Sequence, residues 1–280
     1  MNVTVEKDGR RWNMSNDRDI AITHISGLTP IGGVIYTTPL SSGDGSTYNN
    51  SKINQRNIVI TVKPQCAAEK FRLKVYDYFM QKQKVTLYFK TNNRDVFIDG
   101  YVENIDGDLY ENGQKLQISI ICHNPFFRDV IDSTISFASI ENLFEFPFSI
   151  EEEGIPFSDA FSVIEKTLIN KGENYAGCII ELEAIGNVVE PALYNKSTRE
   201  SFSLRFEMLA GDKITINTNK GQLSVILRRN GVETNIVNDI IFGSKWIKLK
   251  PGDNLITYNC AYGLENLYVT FRTNNLYGGL

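Results

Sequence analysis

Two histidines and four cysteines are the residues of this 280-residue chain best equipped for catalysis or metal binding, and neither set is grouped. His24 and His123 are far apart, and neither stands in an HExxH or comparable ligand spacing. Cys66, Cys122, Cys178 and Cys260 form no CxxC pair, so neither a zinc site nor a disulfide framework is expected, and synthesis in a reducing cytoplasm is. The GxSxG, GxxxxGK[ST] and GxGxxG patterns are absent. The nearest approach, Gly43-Asp44-Gly45-Ser46-Thr47-Tyr48, has Tyr48 where the last glycine belongs. A Ser-His-Asp triad would have only two histidines to draw on.

Two acidic segments could do other chemistry. Residues 105–113 carry Asp106, Asp108 and Glu111, but do not follow the calcium-loop pattern, so a solvated hairpin turn is expected there. Glu151-Glu152-Glu153 could supply half of a glycosidase pair, yet no partner is identifiable and a solvated charge run is expected. Tyr258, Tyr262, Tyr268 and Tyr277 could form a sugar platform, although alternation places most such rings in a core or an interface. Arg10-Arg11 and Arg228-Arg229 are too isolated for a nucleic-acid face. No catalytic residue, cofactor or metal ligand is assigned.

The elements that would position these residues are strands. Period-two alternation marks 19–25, with Ile20, Ile22 and His24 on one face, and also 57–63, 84–90, 94–106 and 115–122. Asn92-Asn93 and Asn112-Gly113 read as hairpin turns. One amphipathic helix is expected over 66–83, with Phe71, Val75, Tyr78 and Phe79 at helical spacing and Pro64 just ahead of it. From residue 165 onward at least seven short strands, punctuated by Gly211-Asp212, Asn230-Gly231 and Gly252-Asp253, argue a β-sandwich. Residues 37–55 are nearly all Ser, Thr, Asn, Gly and Asp. A loop beyond about 12–15 residues is usually functional or disordered, so this one is expected to project as an arm that orders on contact.

Lys+Arg 29 against Asp+Glu 33 gives net −4, split as +2 in 1–130 and −6 in 131–280, which argues against a dedicated nucleic-acid binder. The N-terminus lacks a signal-peptide apolar core, and no stretch approaches ~18 uncharged apolar residues, so a soluble, unprocessed protein without a membrane span is expected. The length suits two domains: 1–130; a connector with the first strands of the second unit over 131–164; and 165–280.

The order of features resembles the distal tail protein family of long-tailed, siphovirus-type bacteriophages. Leu116-Gln117-Ile118-Ser119-Ile120-Ile121-Cys122, followed by His123-Asn124-Pro125-Phe126-Phe127, resembles the family's strand with a Pro-aromatic exit, though His123-Asn124 replaces a more usual acidic residue. Leu168-Ile169-Asn170-Lys171-Gly172, Glu190-Pro191-Ala192-Leu193-Tyr194 and Gly211-Asp212-Lys213-Ile214-Thr215-Ile216-Asn217-Thr218 are similar to family strands. So are Lys250-Pro251-Gly252-Asp253-Asn254-Leu255-Ile256-Thr257-Tyr258 and the Tyr277-Gly278-Gly279-Leu280 end.

The resemblance implies a mainly β protein. Its N-terminal domain would be a tail-tube-like β-sandwich or split barrel with one helix, forming a hexameric ring, and its C-terminal domain a galectin-like β-sandwich outside that ring. It implies a non-enzymatic hub at the virion tail tip, assembled in the host bacterial cytoplasm and passing DNA in transit. Partners would be further copies of itself, the tail tube protein, the tape-measure protein and a tail-tip protein. The arm residues Ser41, Ser42, Gly43, Asp44, Gly45, Ser46, Thr47, Tyr48, Asn49 and Asn50 are the expected subunit interface, since a ring removes exposed sheet edges. The alternative is a carbohydrate-binding β-sandwich module that meets host cell-wall sugar during adsorption.

Overall fold

The computed structural model describes residues 1–107, 114–137 and 165–280. The Asn112-Gly113 turn, Asp108, Glu111, Glu151-Glu152-Glu153 and the rest of the 138–164 connector lie outside the described residues. The chain divides into two compact units, 1–130 with 276–280 and 131–275.

Unit 1 opens with β1 (Asn2–Lys7), β2 (Arg10–Asn13), β3 (Ile20–Ser26), β4 (Gly33–Pro39), β5 (Ser46–Ile53) and β6 (Arg56–Pro64). It continues through α1 (Ala68–Tyr78), β7 (Lys84–Lys90), β8 (Asp95–Asp106), β9 (Leu116–Cys122) and β10 (Phe127–Asp129). The main sheet runs β2-β1-β7-β8-β9-β6-β3, and β10 pairs with the end of β8. It is open: β2 and β3 end the order without pairing to each other, so the barrel form of the expectation is not realised.

Alternation sends Ile58, Ile60 and Val62 of β6, Val85, Leu87 and Phe89 of β7, and Leu116, Ile118, Ile120 and Cys122 of β9 into one core. Helix α1 buries Phe71 and Val75 in the same core. It is shorter than the 66–83 expected. Phe79 caps it, and Lys82 turns at φ +66° so that its N–H donates to Val102 O at 2.9 Å. Pro64 closes β6 opposite Ile20 and does not open the helix.

Strand β3 also departs from its expected phase. A bulge between Ile22 and His24 shifts the register, so Ile20, Ile22 and Ile25 meet the core and His24 is exposed. Just beyond, Gly27 holds φ +82°, and a Cβ there would sit 2.1 Å from Asn57 O. Both the left-handed backbone and the close approach need glycine. Gly27→Ala is therefore expected to destabilise unit 1 by at least ~2 kcal/mol, read as a lower urea midpoint. An unchanged midpoint would show that the strand end can shift to make room.

Unit 2 contains β11 (Ser133–Phe137), β12 (Glu165–Asn170), β13 (Ile179–Ala184), β14 (Val188–Val189), β15 (Ala192–Asn195) and β16 (Glu200–Ser203). After them come β17 (Glu207–Met208), β18 (Lys213–Asn217), β19 (Ser224–Arg229), β20 (Val232–Asn235), β21 (Gly252–Asn259) and β22 (Leu267–Thr273). A six-stranded sheet, β11-β22-β13-β18-β19-β20, and a four-stranded sheet, β12-β21-β15-β16, share one apolar core. Phe137 of β11 packs edge-on against Tyr258 of β21 at 5.5 Å between ring centroids, joining the two layers. Asn230 (φ +51°) and Gly231 (φ +80°) make the tight β19–β20 turn that their pairing suggested.

The chain then returns to unit 1. β23 (Leu276–Tyr277) pairs with β10, Phe127 opposite Tyr277, so 276–280 belong to unit 1 and not to the 165–280 domain expected from the sequence. The cause is local: Tyr277 is buried in the unit 1 core, its hydroxyl donates to Asp129 Oδ2 at 3.2 Å, and the Arg94 guanidinium lies 4.4 Å from its ring centroid.

Candidate functional site

The residues first considered for chemistry do not converge. His24 is exposed on β3, and His123 follows β9, its ring edge-on to Tyr101 at 5.5 Å. All four cysteines are free thiols. Burial pushes the Cys122 and Cys178 thiols up to about 12, so neither is a ready nucleophile. Among the described residues no three His, Cys, Asp or Glu side chains are grouped to hold a metal. The tyrosine platform is not assembled either: Tyr258 lies in the unit 2 core, Tyr277 in the unit 1 core, and only Tyr262 is freely exposed. Arg10 is paired with Asp77 and Arg11 with Glu6, within unit 1.

The arm is a different matter. It is a two-stranded antiparallel hairpin, β4 with β5, from Gly33 opposite Ile53 to Pro39 opposite Ser46. Ser41, Ser42, Gly43, Asp44 and Gly45 form the turn, where Gly43 and Gly45 adopt φ of +112° and +100°. Ser46, Thr47, Tyr48, Asn49 and Asn50 belong to β5, and all ten of these residues are exposed. The expectation of an unstructured polar segment is thus corrected. Asn49 donates across the ribbon to Thr38 Oγ1 at 2.7 Å, and Tyr48 and Ser51 share a hydroxyl bond of 2.9 Å along β5.

The hairpin has an apolar side that its composition hides. A bulge at Asn49, between the Tyr36–Asn50 and Thr37–Tyr48 pairs, rephases β5. Residues directly opposite share a face, so Ile35, Tyr48 and Ile53 fall on one side of the ribbon, at 66%, 60% and 45% exposure. Tyr36 and Lys52 fall on the other, with the ammonium 5.7 Å from the ring centroid. A lone two-stranded ribbon is marginal in water unless a further layer packs on it.

The motif residues of unit 2 are structural clamps. Asn170 donates to Asn174 O and Leu249 O and accepts from Gly172 N. Asn195 donates to Lys248 O and to Asn254 Oδ1, and Asn254 in turn closes the 250–254 turn through Lys250 N and Lys250 O. Asp212, 3% exposed, accepts from Arg229 Nε at 2.8 Å and from Leu209 N at 2.8 Å. Each buried polar group is satisfied, which is what allows it to be buried.

The Arg229 hydrogen bonds, helped by Leu209 N–H, hold the Asp212 carboxyl below its usual range. A depressed folded value stabilises above the unfolded one and is lost as pH falls through the folded value, so unit 2 should weaken below about pH 4. Asp212→Asn should cost about 1–3 kcal/mol at neutral pH and flatten that acid limb. Thermal melts at several pH values check both; an unaltered acid limb would sink the assignment.

Residues 171–274 match the family model for SPP1 Dit, described as the siphovirus-type tail component, C-terminal domain. Over these residues the sequence is similar to a siphovirus tail component domain. The family resemblance read from the sequence is borne out over these residues. Over nearly its whole length its fold is similar to the crystal structure of SPP1 Dit (gp 19.1), described as a paradigm of the hub adsorption apparatus in phages infecting Gram-positive bacteria. That match has a TM-score of 0.68 and 11% identity, covering 97% of this chain and 98% of that one. The phage P2 baseplate in its activated conformation with Ca gives a TM-score of 0.54 at 10% identity, covering 98% of this chain and 97% of that one. The phage p2 baseplate with Sr gives 0.54 at 11%, with the same coverage. No curated protein matches by sequence. At such identities the structural likeness speaks for the fold, and the family match is what speaks for the tail.

Proposed function

We propose that this tail component is a structural, non-enzymatic hub at the virion tail tip that closes into a ring, hexameric as in the resemblance above. Unit 1 forms the wall, and unit 2, the galectin-like sandwich, sits outside it. The ring stands between the tail tube protein and the tail-tip protein, accommodates the tape-measure protein and passes DNA. The observation that carries the reading is the β4–β5 hairpin, whose apolar face of Ile35, Tyr48 and Ile53 is covered by no layer among the described residues. A neighbouring copy supplies that layer, and a closed ring repeats the contact without leaving one unsatisfied.

Light scattering with negative-stain microscopy of the purified full-length protein tests this directly. Closed rings of uniform size are expected, and their mass gives the copy number. A strict monomer both alone and with its tube protein would overturn the ring.

A further inference from the structure

The two legs of the hairpin are pinned at one place. The incoming leg runs through 27–32 and the outgoing leg through 54–56. At the start of β6, Arg56 is fully buried, and its guanidinium donates to four backbone carbonyls. Gly27 O and Thr29 O belong to the incoming leg, Pro125 O precedes β10, and Gly278 O lies just past β23. Arg56 thus ties both legs to a segment 222 positions later in the chain.

That segment also grips the incoming leg directly. Leu280 N donates to Leu28 O at 3.0 Å, and the Leu280 side chain packs on the unit 1 core. Gly279 fits so closely that a Cβ there would lie 2.7 Å from Pro30 Cδ and 3.0 Å from Pro30 N. Arg94 donates to Gly279 O from the other side. Beyond this base, every residue from 35 to 55 is exposed, so the direction of the hairpin is set where its legs are held.

We propose that residues 276–280 act as a latch on the base of the β4–β5 hairpin. Seated, they fix the incoming leg and hold the hairpin in one direction; unseated, they free it. Residue 276 follows directly on unit 2, so the latch is one of the two places where the chain joins unit 2 to unit 1. The latch stands on contacts within unit 1 alone; its effect on ring closure rests on the function proposed above.

The test is amide hydrogen exchange on the full chain at a concentration where light scattering shows single copies. The variants are Gly279→Val, which puts a branched side chain against Pro30, and the milder Gly279→Ala. Exchange over 27–40 is expected to rise about tenfold or more while β7, β8 and β9 stay as they were. Unchanged exchange over 27–40, with 276–280 themselves released, would overturn the proposal. So would an equal rise across all of unit 1, or failure of both variants to fold, since the segment would then be ordinary core. Ring formation by the same variants separates the two readings. Freed hairpins with normal rings keep the latch and retire the hairpin as interface, whereas lost rings with normal exchange over 27–40 overturn the latch.

Discussion

Deletion of residues 41–50 should yield a protein that folds normally and forms no rings. The cut removes the exposed turn and most of β5, none of which belongs to the unit 1 core. The base pairs Gly33–Ile53, Val34–Lys52 and Ile35–Ser51 remain, so a shortened hairpin can still close. Shortening a surface loop changes closure entropy little, and the cost to folding should be about 1 kcal/mol or less. Assembly, in contrast, loses Tyr48 and the reach of the ribbon together. Size-exclusion chromatography with light scattering should show monomer at every concentration where the parent forms rings, with matching circular dichroism and melting. Normal rings from the deleted chain would end the hairpin's role as the interface. A subtler variant, Ile35→Asp with Tyr48→Asp, keeps the hairpin and places two charges on the face that must be covered; it should fail in the same way.

Arg56→Met should strongly destabilise unit 1. Methionine is of similar length and apolar, so packing beside Phe127, over which the guanidinium lies at 4.5 Å, is largely kept. What is lost is the donor set for Pro125 O, Gly27 O, Thr29 O and Gly278 O. Stranding buried acceptors is the expensive half of a broken hydrogen bond, and the expected loss is about 3–5 kcal/mol. Burial also draws the Arg56 pKa down, the mark of a cation taken out of water. Arg56→Lys keeps the charge with fewer donors and should recover only part of the loss. The two tryptophans, Trp12 and Trp246, lie one in each unit, so Trp246→Phe leaves a fluorescence reporter for unit 1 alone. A urea midpoint for Arg56→Met close to that of the parent would remove Arg56 from this role.

Much of the fold was legible because burial imposes periodicity. Strands β6, β7 and β9 bury alternate residues, and their sequences alternate visibly. The Asn-Gly and Gly-Asp turns showed for the same kind of local reason, a positive φ that few residues tolerate. The candidate interface was legible as a place and not as a shape. β4 and β5 bury nothing, so no alternation marks them, and the bulge at Asn49 scatters Ile35, Tyr48 and Ile53 out of phase. Simple alternation puts His24 on the face of Ile20 and Ile22 because a bulge inside β3 leaves no trace in composition. Arg56 went unremarked for a deeper reason: its four partners lie at residues 27, 29, 125 and 278, and nothing local announces such contacts. The return of 276–280 to unit 1 is non-local in the same way.

That return bears on how the protein is made. In the chain, unit 2 lies between β10 and β23, and those two strands are neighbours in unit 1. The ribosome therefore delivers all of residues 131–275 before the last strand of the first unit emerges. Unit 2 has everything it needs earlier than unit 1, whose Arg56 must wait for Gly278. Closing so long a loop is slow, and until it closes unit 1 is unfinished. A chain that stops short anywhere in unit 2 thus never completes unit 1.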